Sequence, residues 1–323
     1  MILRIFTQNN RGLLFSYPLF TLILILCLYH QMDVNSKSSV IYASDYIFRS
    51  IQNNILAKLS FCTLCVSILG WVVNSSFNIS ELYHQPSYLV GLISILFYSI
   101  ISIVYPNANW IFSQVFLVIG LFHCLKISNQ KRAYIPIFIA QISIGISICL
   151  YPQNIGYALW ISLILMFNRN PNIKEYLLSI SSIGIPLLYW WSYSYITDQT
   201  EFWYFWNPVR THFSFLSLFQ SFTFWSHIII VIIAAFSLFK RENRQTNRTQ
   251  QAKNCLLTLL LSGICGALAC IIIDQPFSIY NLALPFIMLV GYHWTHYRVS
   301  LVAPLFFYSW MVIIILFGLN VIS

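Results

Sequence analysis

Long apolar runs dominate this chain, and short polar stretches separate them. The runs are roughly 16 to 22 residues long, and their residues do not alternate between apolar and polar. A strand of a membrane barrel would alternate at every second position, whereas about 20 consecutive apolar residues let a helix cross a bilayer. The pattern therefore predicts an all-α, polytopic transmembrane helical bundle.

We predict about eleven spans, or about nine to eleven because some of the runs are short. The chain is predicted to be a single integral membrane domain over residues 1–323, with outer loops at 30–57 and 194–219 and a cytoplasmic basic loop at 240–253. The predicted spans cover residues 13–29, 58–74, 86–105, 109–125, 133–151, 154–168, 176–193, 220–239, 254–273, 277–293 and 299–320.

The composition agrees with a chain that has lipid as its main partner. Charged residues make up 8% of the sequence and hydrophobic residues 59%, whereas a soluble domain carries about 25% charged residues. The net charge of +9 would indicate nucleic acid only if the basic residues shared one folded face. They lie in short loops between the predicted spans, so nucleic acid is not predicted as a partner.

The distribution of basic residues predicts the orientation of the chain. Thirteen of the seventeen Lys and Arg residues fall on the side of the N-terminus, and four fall on the other side. Cytoplasmic loops carry the excess of Lys and Arg in membrane proteins. We therefore predict a cytoplasmic N-terminus and a C-terminus outside.

Candidate chemistry lies in the predicted outer loops, because most acidic residues fall there. A carboxylate just outside a membrane can act as a general base, or can hold a divalent cation against a phosphate. That cation is the one cofactor that the sequence admits, and no fixed metal site is predicted. Ordinary loop solvation, or pairing with Arg49, Lys37 or Arg210, is the alternative for each of them. The outer acidic residues are Asp33, Asp45, Asp198, Glu201 and Asp274.

The second outer loop adds aromatic side chains and one arginine. Trp203 and Trp206 suit stacking on a sugar or a lipid headgroup, but an interfacial aromatic belt uses the same residues. The guanidinium of Arg210 matches phosphate geometry, although it can equally extend to lipid headgroups. We predict that these residues, with Arg49, Asp198, Glu201 and Asp274, contact a substrate.

Two stretches of the sequence resemble a known family. Residues 105–117 form a Tyr-Pro-Asn turn and a helix that runs toward the basic loop 126–132, and residues 168–177 lead into the Gly-Ile-Pro segment at 184–189. With the chain length, they resemble an uncharacterised family of polytopic bacterial inner-membrane proteins, a domain of unknown function. The resemblance covers nearly the whole chain and implies a multi-pass protein of the bacterial inner membrane.

That layout in turn resembles the membrane-embedded C-type glycosyltransferases. These enzymes have a cytoplasmic N-terminus and a catalytic acidic residue in the first outer loop, followed by helices on the membrane surface. The resemblance implies that Asp33 or Asp45 is the catalytic base, that residues 45–57 are the surface helix, and that the donor is a polyprenyl-phosphate-linked sugar.

Two other functions stay open at this point, so the sequence alone does not decide whether the chain is an enzyme. One is a non-catalytic scaffold or accessory subunit of an envelope-biogenesis or secretion complex, with other membrane subunits as partners. The other is a lipid or solute transporter or flippase. Transporters usually carry ionisable groups at membrane depth, and the predicted spans contain almost none.

Overall fold

The structure is a computed structural model of the chain. The residues that it describes are 16–27, 54–80, 87–104, 108–127, 133–168, 172–196, 232, 247–272 and 279–296.

These residues form nine α-helices and two 3₁₀ segments, and none of them is in a β-strand. The helices are α1 (Ser16–Cys27), α2 (Ile55–Ile79), α3 (Leu89–Val104), α4 (Ala108–Ile127), α5 (Tyr134–Leu150), α6 (Trp160–Asn168), α7 (Ile173–Ile196), α8 (Asn247–Ile272) and α9 (Ala283–His296). The 3₁₀ segments are Pro152–Leu159, which leads into α6, and Ile279–Leu282, which leads into α9.

Three of these helices are long and apolar enough to cross a membrane. They contain the segments Leu56–Ile79, Ala108–Ile127 and Thr249–Cys270. Shorter apolar helices surround them, at Leu89–Ser99, Tyr134–Leu150 and Ala283–His293. The chain is therefore a helical membrane protein, as its apolar runs predicted.

Helices α2 and α3 pack antiparallel, and polar contacts near the end of α2 fix their register. The Asn74 side chain accepts a hydrogen bond from the Gly91 backbone at 3.3 Å, and Asn78 accepts one from Ser87 at 3.1 Å. Helix α1 joins this pair at the same end, where the Tyr17 hydroxyl donates to the Tyr88 carbonyl at 2.8 Å. The start of α1, the end of α2 and the start of α3 thus lie together.

Helices α4 and α5 form the most extensive helix pair in the described part of the chain. Helix α7 runs parallel to α5, because the Glu175 carboxylate accepts a hydrogen bond from the Ala133 backbone at 3.4 Å and Pro186 packs on Gly145. Helix α8 runs antiparallel to the segment 152–168. Asn168 donates to the Gln251 carbonyl at 3.1 Å near one end of that segment.

These contacts sort the connections between helices onto two ends of the bundle. The lower end holds the start of α1, the connection from α2 to α3, the connection from α4 to α5, and the start of α8. The upper end holds the end of α1, the start of α2, the connection from α3 to α4, the end of α5, the end of α7 and the end of α8. At the upper end, Asn54 caps α2 by accepting from the Leu56 and Ala57 backbones at 3.1 and 3.4 Å, which satisfies two orphan donors.

The helix boundaries correct several predictions. The predicted span 154–168 is not one continuous α-helix, because the 3₁₀ segment occupies its first part. The predicted loop 240–253 is helical from Asn247, since Gln, Ala and Lys favour helix as well as water. The predicted loop 30–57 ends earlier than expected, because α2 begins at Ile55. The predicted loop 194–219 begins later than expected, because α7 continues to Ile196. The predicted spans 220–239, apart from Ile232, and 299–320 lie outside the described residues.

Candidate functional site

The 3₁₀ segment Pro152–Leu159 is the unusual element of the upper end. It is 8 residues long, whereas 3₁₀ runs above about 4 residues are uncommon because their hydrogen bonds have poorer geometry. Backbone that is not α-helical is tolerated inside a membrane protein where protein covers it or where it lines a cavity. The segment begins at Pro152, which lacks a backbone donor and fits the first position of a helix.

Helix α8 covers this segment by direct backbone contact. A side chain added at Gly266 would place its Cβ 2.9 Å from the Cα of Gly156, and a Cβ added at Gly156 would overlap the Gly266 backbone. Cys270 lies one turn further on and approaches the Gln153 carbonyl, with 4.0 Å between sulfur and oxygen. The two glycines therefore allow α8 to approach the 3₁₀ segment closely.

Side chains of the 3₁₀ segment bond it to the helices around it. The Asn154 side-chain nitrogen donates to the Ser147 hydroxyl of α5 at 2.8 Å and to the Ser113 hydroxyl of α4 at 3.2 Å. The Tyr151 hydroxyl donates to the Gln153 side-chain oxygen at 2.7 Å.

The two 3₁₀ segments also bond to each other. Asn281, in the second segment, donates from its side chain to the Gln153 side-chain oxygen at 2.9 Å. The Tyr157 hydroxyl donates to the Asn281 backbone carbonyl at 2.6 Å. Both segments therefore meet at the upper end, next to α4 and α5.

Two further polar side chains are buried nearby, Gln114 next to Ser113 on α4 and Tyr98 on α3. Trp110 and Gln114 lie four residues apart, so they share one face of α4. The Trp110 ring lies 6.0 Å from the Tyr98 ring of α3, centroid to centroid. We name the whole set the upper polar cluster: Tyr98, Ser113, Gln114, Ser147, Tyr151, Gln153, Asn154, Tyr157 and Asn281.

Five polar atoms of the upper polar cluster are buried and have no hydrogen-bond partner in the part of the chain that the structure describes. They are both side-chain atoms of Gln114, the Tyr98 hydroxyl and the side-chain oxygens of Asn154 and Asn281. Gln114, Tyr98 and Asn154 are each 0% exposed. Native proteins keep few such atoms, and each one calls for an explanation, such as water, an ion or a ligand.

The upper polar cluster carries hydrogen-bonding groups but no charge. Its members are tyrosines, serines and amides. No group of three or more His, Cys, Asp or Glu side chains is placed to hold a metal ion among the described residues. The arrangement therefore suits a neutral polar group, which can exchange hydrogen bonds without the cost of burying an unpaired charge.

Buried charged side chains lie outside this cluster, at Lys58 near the start of α2, Glu175 near the start of α7 and Lys253 of α8. Lys253 of α8 is 2% exposed, and its ammonium lies 5.3 Å from the centre of the Tyr292 ring of α9, a distance that allows a cation–π interaction. The sequence predicted this lysine in a loop. Helix α8 instead includes it, and the α9 aromatic ring helps to cover its charge.

The residues that the sequence nominated for chemistry all lie outside the described residues, and their roles stay predictions. Their attachment points, however, are described. The segment 28–53 leaves α1 and enters α2 at the upper end, and the segment 273–278 joins α8 to the second 3₁₀ segment there. The segment after α7 also starts at that end. The nominated residues are Asp33, Asp45, Arg49, Asp198, Glu201, Trp203, Trp206, Arg210 and Asp274.

Sequence reasoning missed the upper polar cluster itself. Within the predicted spans, only charged residues were taken as a sign of function, whereas the cluster consists of neutral residues. The signal that was present is the pair of amides at the predicted turn, Gln153 and Asn154, whereas Gln114 and Asn281 lie within predicted spans. Comparisons of the chain with protein-family models, curated proteins and solved structures gave no match.

Proposed function

We propose that the protein is a membrane glycosyltransferase that works at the upper end of the bundle. It would move a sugar from a polyprenyl-phosphate donor to a hydroxyl acceptor. One observation carries the proposal: the segment that contains Asp33 and Asp45 is attached, on both sides, at the end that holds the buried neutral polar cluster. A base and a sugar-binding surface are the two parts that such a transfer requires.

In the proposed reaction, the carboxylate of Asp45 or Asp33 takes the proton of the acceptor hydroxyl. The acceptor oxygen then forms a bond to the anomeric carbon of the sugar. The bond from that carbon to the phosphate oxygen breaks, and its electron pair leaves with the polyprenyl phosphate. Such a displacement inverts the anomeric centre. Arg210 would neutralise the phosphate, since the guanidinium fork matches phosphate oxygens, and a divalent cation held by the carboxylates is the alternative.

The orientation and the location belong to the same proposal. The excess of basic residues on the side of the N-terminus makes the lower end cytoplasmic and the upper end external. The full chain would then have about eleven spans in the bacterial inner membrane. Labelling of single cysteines from outside the cell tests this: Ser39→Cys should react with an impermeant thiol reagent, and Asn243→Cys should react only after the membrane is opened.

Complementation tests the catalytic part. The gene is deleted in its host and restored as wild type, Asp33→Asn, Asp45→Asn or, as a matched acidic control on the predicted cytoplasmic side, Glu242→Gln. Surface glycans and lipid-linked sugars are then profiled. We expect one Asp variant, expressed at the wild-type level, to reproduce the deletion profile while Glu242→Gln restores the wild type. Restoration by both Asp variants would remove the outer carboxylates from the reaction.

A scaffold in an envelope or secretion complex is the second candidate, and α7 supplies the observation that favours it. The last turns of α7 expose large aromatic side chains, with Tyr189 at 76% and Tyr195 at 79%. A lipid-facing helix or a helix that contacts another membrane subunit would show this surface. If both Asp variants restore the wild-type glycans, the alternative is tested by whether Trp191→Ala loses co-purifying membrane subunits.

A further inference from the structure

The unpartnered atoms of the upper polar cluster point to a specific ligand class. We propose that Tyr98, Gln114, Asn154 and Asn281 bind the ring of an uncharged sugar, so that this cluster selects neutral over charged sugars. The inference deepens the proposed function and rests on it for the transfer step. Binding of the sugar itself rests only on the geometry of the described residues.

The unpartnered atoms of the cluster include both hydrogen-bond donors and hydrogen-bond acceptors. Gln114 offers an amide donor and a carbonyl acceptor, and Tyr98 offers a hydroxyl that both donates and accepts. Asn154 and Asn281 each offer a side-chain oxygen. A sugar ring presents neighbouring hydroxyls, each of which donates one hydrogen bond and accepts others. The unpartnered set is complementary to such a row of hydroxyls.

Two of the residues with unpartnered atoms, Asn154 and Asn281, are already held in place by other hydrogen bonds. Asn154 is fixed by the Ser113 and Ser147 hydroxyls, and Asn281 is fixed by its bond to Gln153. The free oxygen of each amide is therefore held in position rather than able to rotate toward another partner. Binding groups held in advance lose less conformational freedom when a ligand arrives.

Charged ligands of similar size fit this set of groups less well. A cation would be attracted to the amide oxygens, but it would meet the unpartnered amide donor of Gln114 and no carboxylate in the cluster. A charged sugar would bury its charge beside residues that carry none, which is costly. The Tyr98 ring also lies 6.0 Å from the Trp110 ring, centroid to centroid, so aromatic side chains border the polar set. A neutral sugar satisfies the whole set.

The described atoms are closed to solvent in this structure, so sugar binding requires the upper end to open. The unpartnered atoms lie on four elements, namely α3, α4 and the two 3₁₀ segments, and no single helix carries them all. A ligand that bridges these elements would hold them together. Binding should therefore raise the thermal stability of the full-length protein, which gives a readout that is separate from turnover.

The experiment uses the full-length protein in lipid nanodiscs and three probes. They are of three kinds: farnesyl phosphate alone, farnesyl phosphate carrying a neutral sugar (glucose, galactose or N-acetylglucosamine), and farnesyl phosphate carrying glucuronic acid. The dissociation constant is measured by native mass spectrometry, and the midpoint of thermal unfolding is measured on the same detergent-free preparation. We expect at least one neutral sugar to bind about tenfold tighter than the sugarless lipid, the gain of one or two hydrogen bonds, and glucuronic acid to add nothing.

Variants assign that gain to the cluster. Gln114→Leu and Tyr98→Phe should remain folded and should bring the neutral-sugar probe to the affinity of the sugarless lipid. Gln250→Leu, at an exposed position near the start of α8, is the matched control and should keep the full gain. A folded Gln114→Leu protein that still prefers the sugar probe would overturn the assignment, as would a wild type with no preference for any neutral sugar.

The remaining outcomes separate the site from the reaction. If sodium ions stabilise the wild type and no sugar does, the amide oxygens bind a cation and the proposal fails. If Asp33→Asn and Asp45→Asn keep the sugar preference while turnover is absent even in the wild type, the sugar site stands and the transferase function fails. If turnover occurs but Gln114→Leu leaves both affinity and sugar choice unchanged, the transferase stands and this site fails.

Discussion

The corner formed by α1, α2 and α3 and the upper polar cluster use the same kinds of side chain in opposite ways. In the corner, Tyr17, Asn74 and Asn78 each bond a backbone group of a neighbouring helix. In the cluster, Tyr98 and Gln114 are equally buried, yet their polar atoms have no partner among the described residues. The corner therefore uses these side chains to hold helices together. The cluster also holds elements together, through Asn154, Tyr157 and Asn281, but it retains unused hydrogen-bonding capacity at Tyr98 and Gln114.

The difference has an energetic meaning. A buried polar atom without a partner costs about 1 to 3 kcal/mol relative to its hydrated state. Removing the partnered polar groups of the corner should thus destabilise the protein, whereas removing the unpartnered groups of Tyr98 and Gln114 in the cluster should not. The predictions that follow use the midpoint of thermal unfolding in detergent, read by size-exclusion chromatography, unless another measurement is named.

The largest effect is expected where the cluster is held against α8. Gly156→Ala would place a methyl group into the Gly266 backbone, so the 3₁₀ segment or α8 must shift to admit it. We expect a loss of about 3 kcal/mol, at the upper side of the usual cost of overpacking. Unchanged stability would show that the two backbones do not touch.

Gly184→Ala is the matched control for that substitution. No atom lies within 4 Å of a Cβ built at Gly184, which is inside α7. Alanine is favoured over glycine in a helix interior by about 0.8 to 1 kcal/mol. The same chemical change should therefore stabilise the protein slightly, and a loss at both glycines would indicate a general cost of substitution in this bundle.

The next effect concerns Gln141, a buried amide outside the cluster. Its side-chain nitrogen donates to the Ser179 hydroxyl of α7 at 2.6 Å and to the Ala158 carbonyl at 3.4 Å, whereas its side-chain oxygen has no partner among the described residues. Gln141→Leu removes both bonds and leaves two buried acceptors, so we expect a loss of about 2 kcal/mol. Gln114→Leu, the same change in the cluster, should cost nothing or stabilise. Equal losses at the two positions would abolish the distinction between the regions.

The comparison also shows what the sequence could and could not predict. Apolar runs locate helices well because their length is set by the bilayer: the predicted spans 86–105 and 133–151 match α3 and α5 within a few residues. The run 154–168 failed because an apolar composition does not distinguish 3₁₀ from α-helix. Pro152 and Gly156 were the visible warning.

The candidate site was harder to predict for a physical reason. The partners of a buried amide lie on other helices, and no periodicity states which helices are neighbours. Gln114 and Gln141 look alike in the sequence, each a single amide in an apolar run, yet one bonds α7 and the other has no partner in the described part of the chain. The predicted outer carboxylates Asp33 and Asp45 remain predictions, and the structure adds only the end of the bundle at which their segment is attached.

The smallest effects are expected for two tyrosines, and they give the sharpest comparison. Tyr17→Phe removes one buried hydrogen bond to the Tyr88 carbonyl. That carbonyl keeps its bond from the Leu92 backbone at 3.2 Å, so the loss should be only about 1 kcal/mol. Tyr98→Phe removes a buried hydroxyl with no partner among the described residues, and it should leave stability unchanged or raise it.

Both tyrosine substitutions remove the same single oxygen from almost fully buried rings, at 1% and 0% exposure, so size, packing and side-chain entropy cancel between them. The difference in unfolding midpoint therefore reports the hydrogen bonding alone. A midpoint that falls for Tyr17→Phe but not for Tyr98→Phe supports a cluster kept open for a ligand. If the midpoint falls as far for Tyr98→Phe, the Tyr98 hydroxyl already has a structural partner, and it holds helices together just as the Tyr17 hydroxyl does.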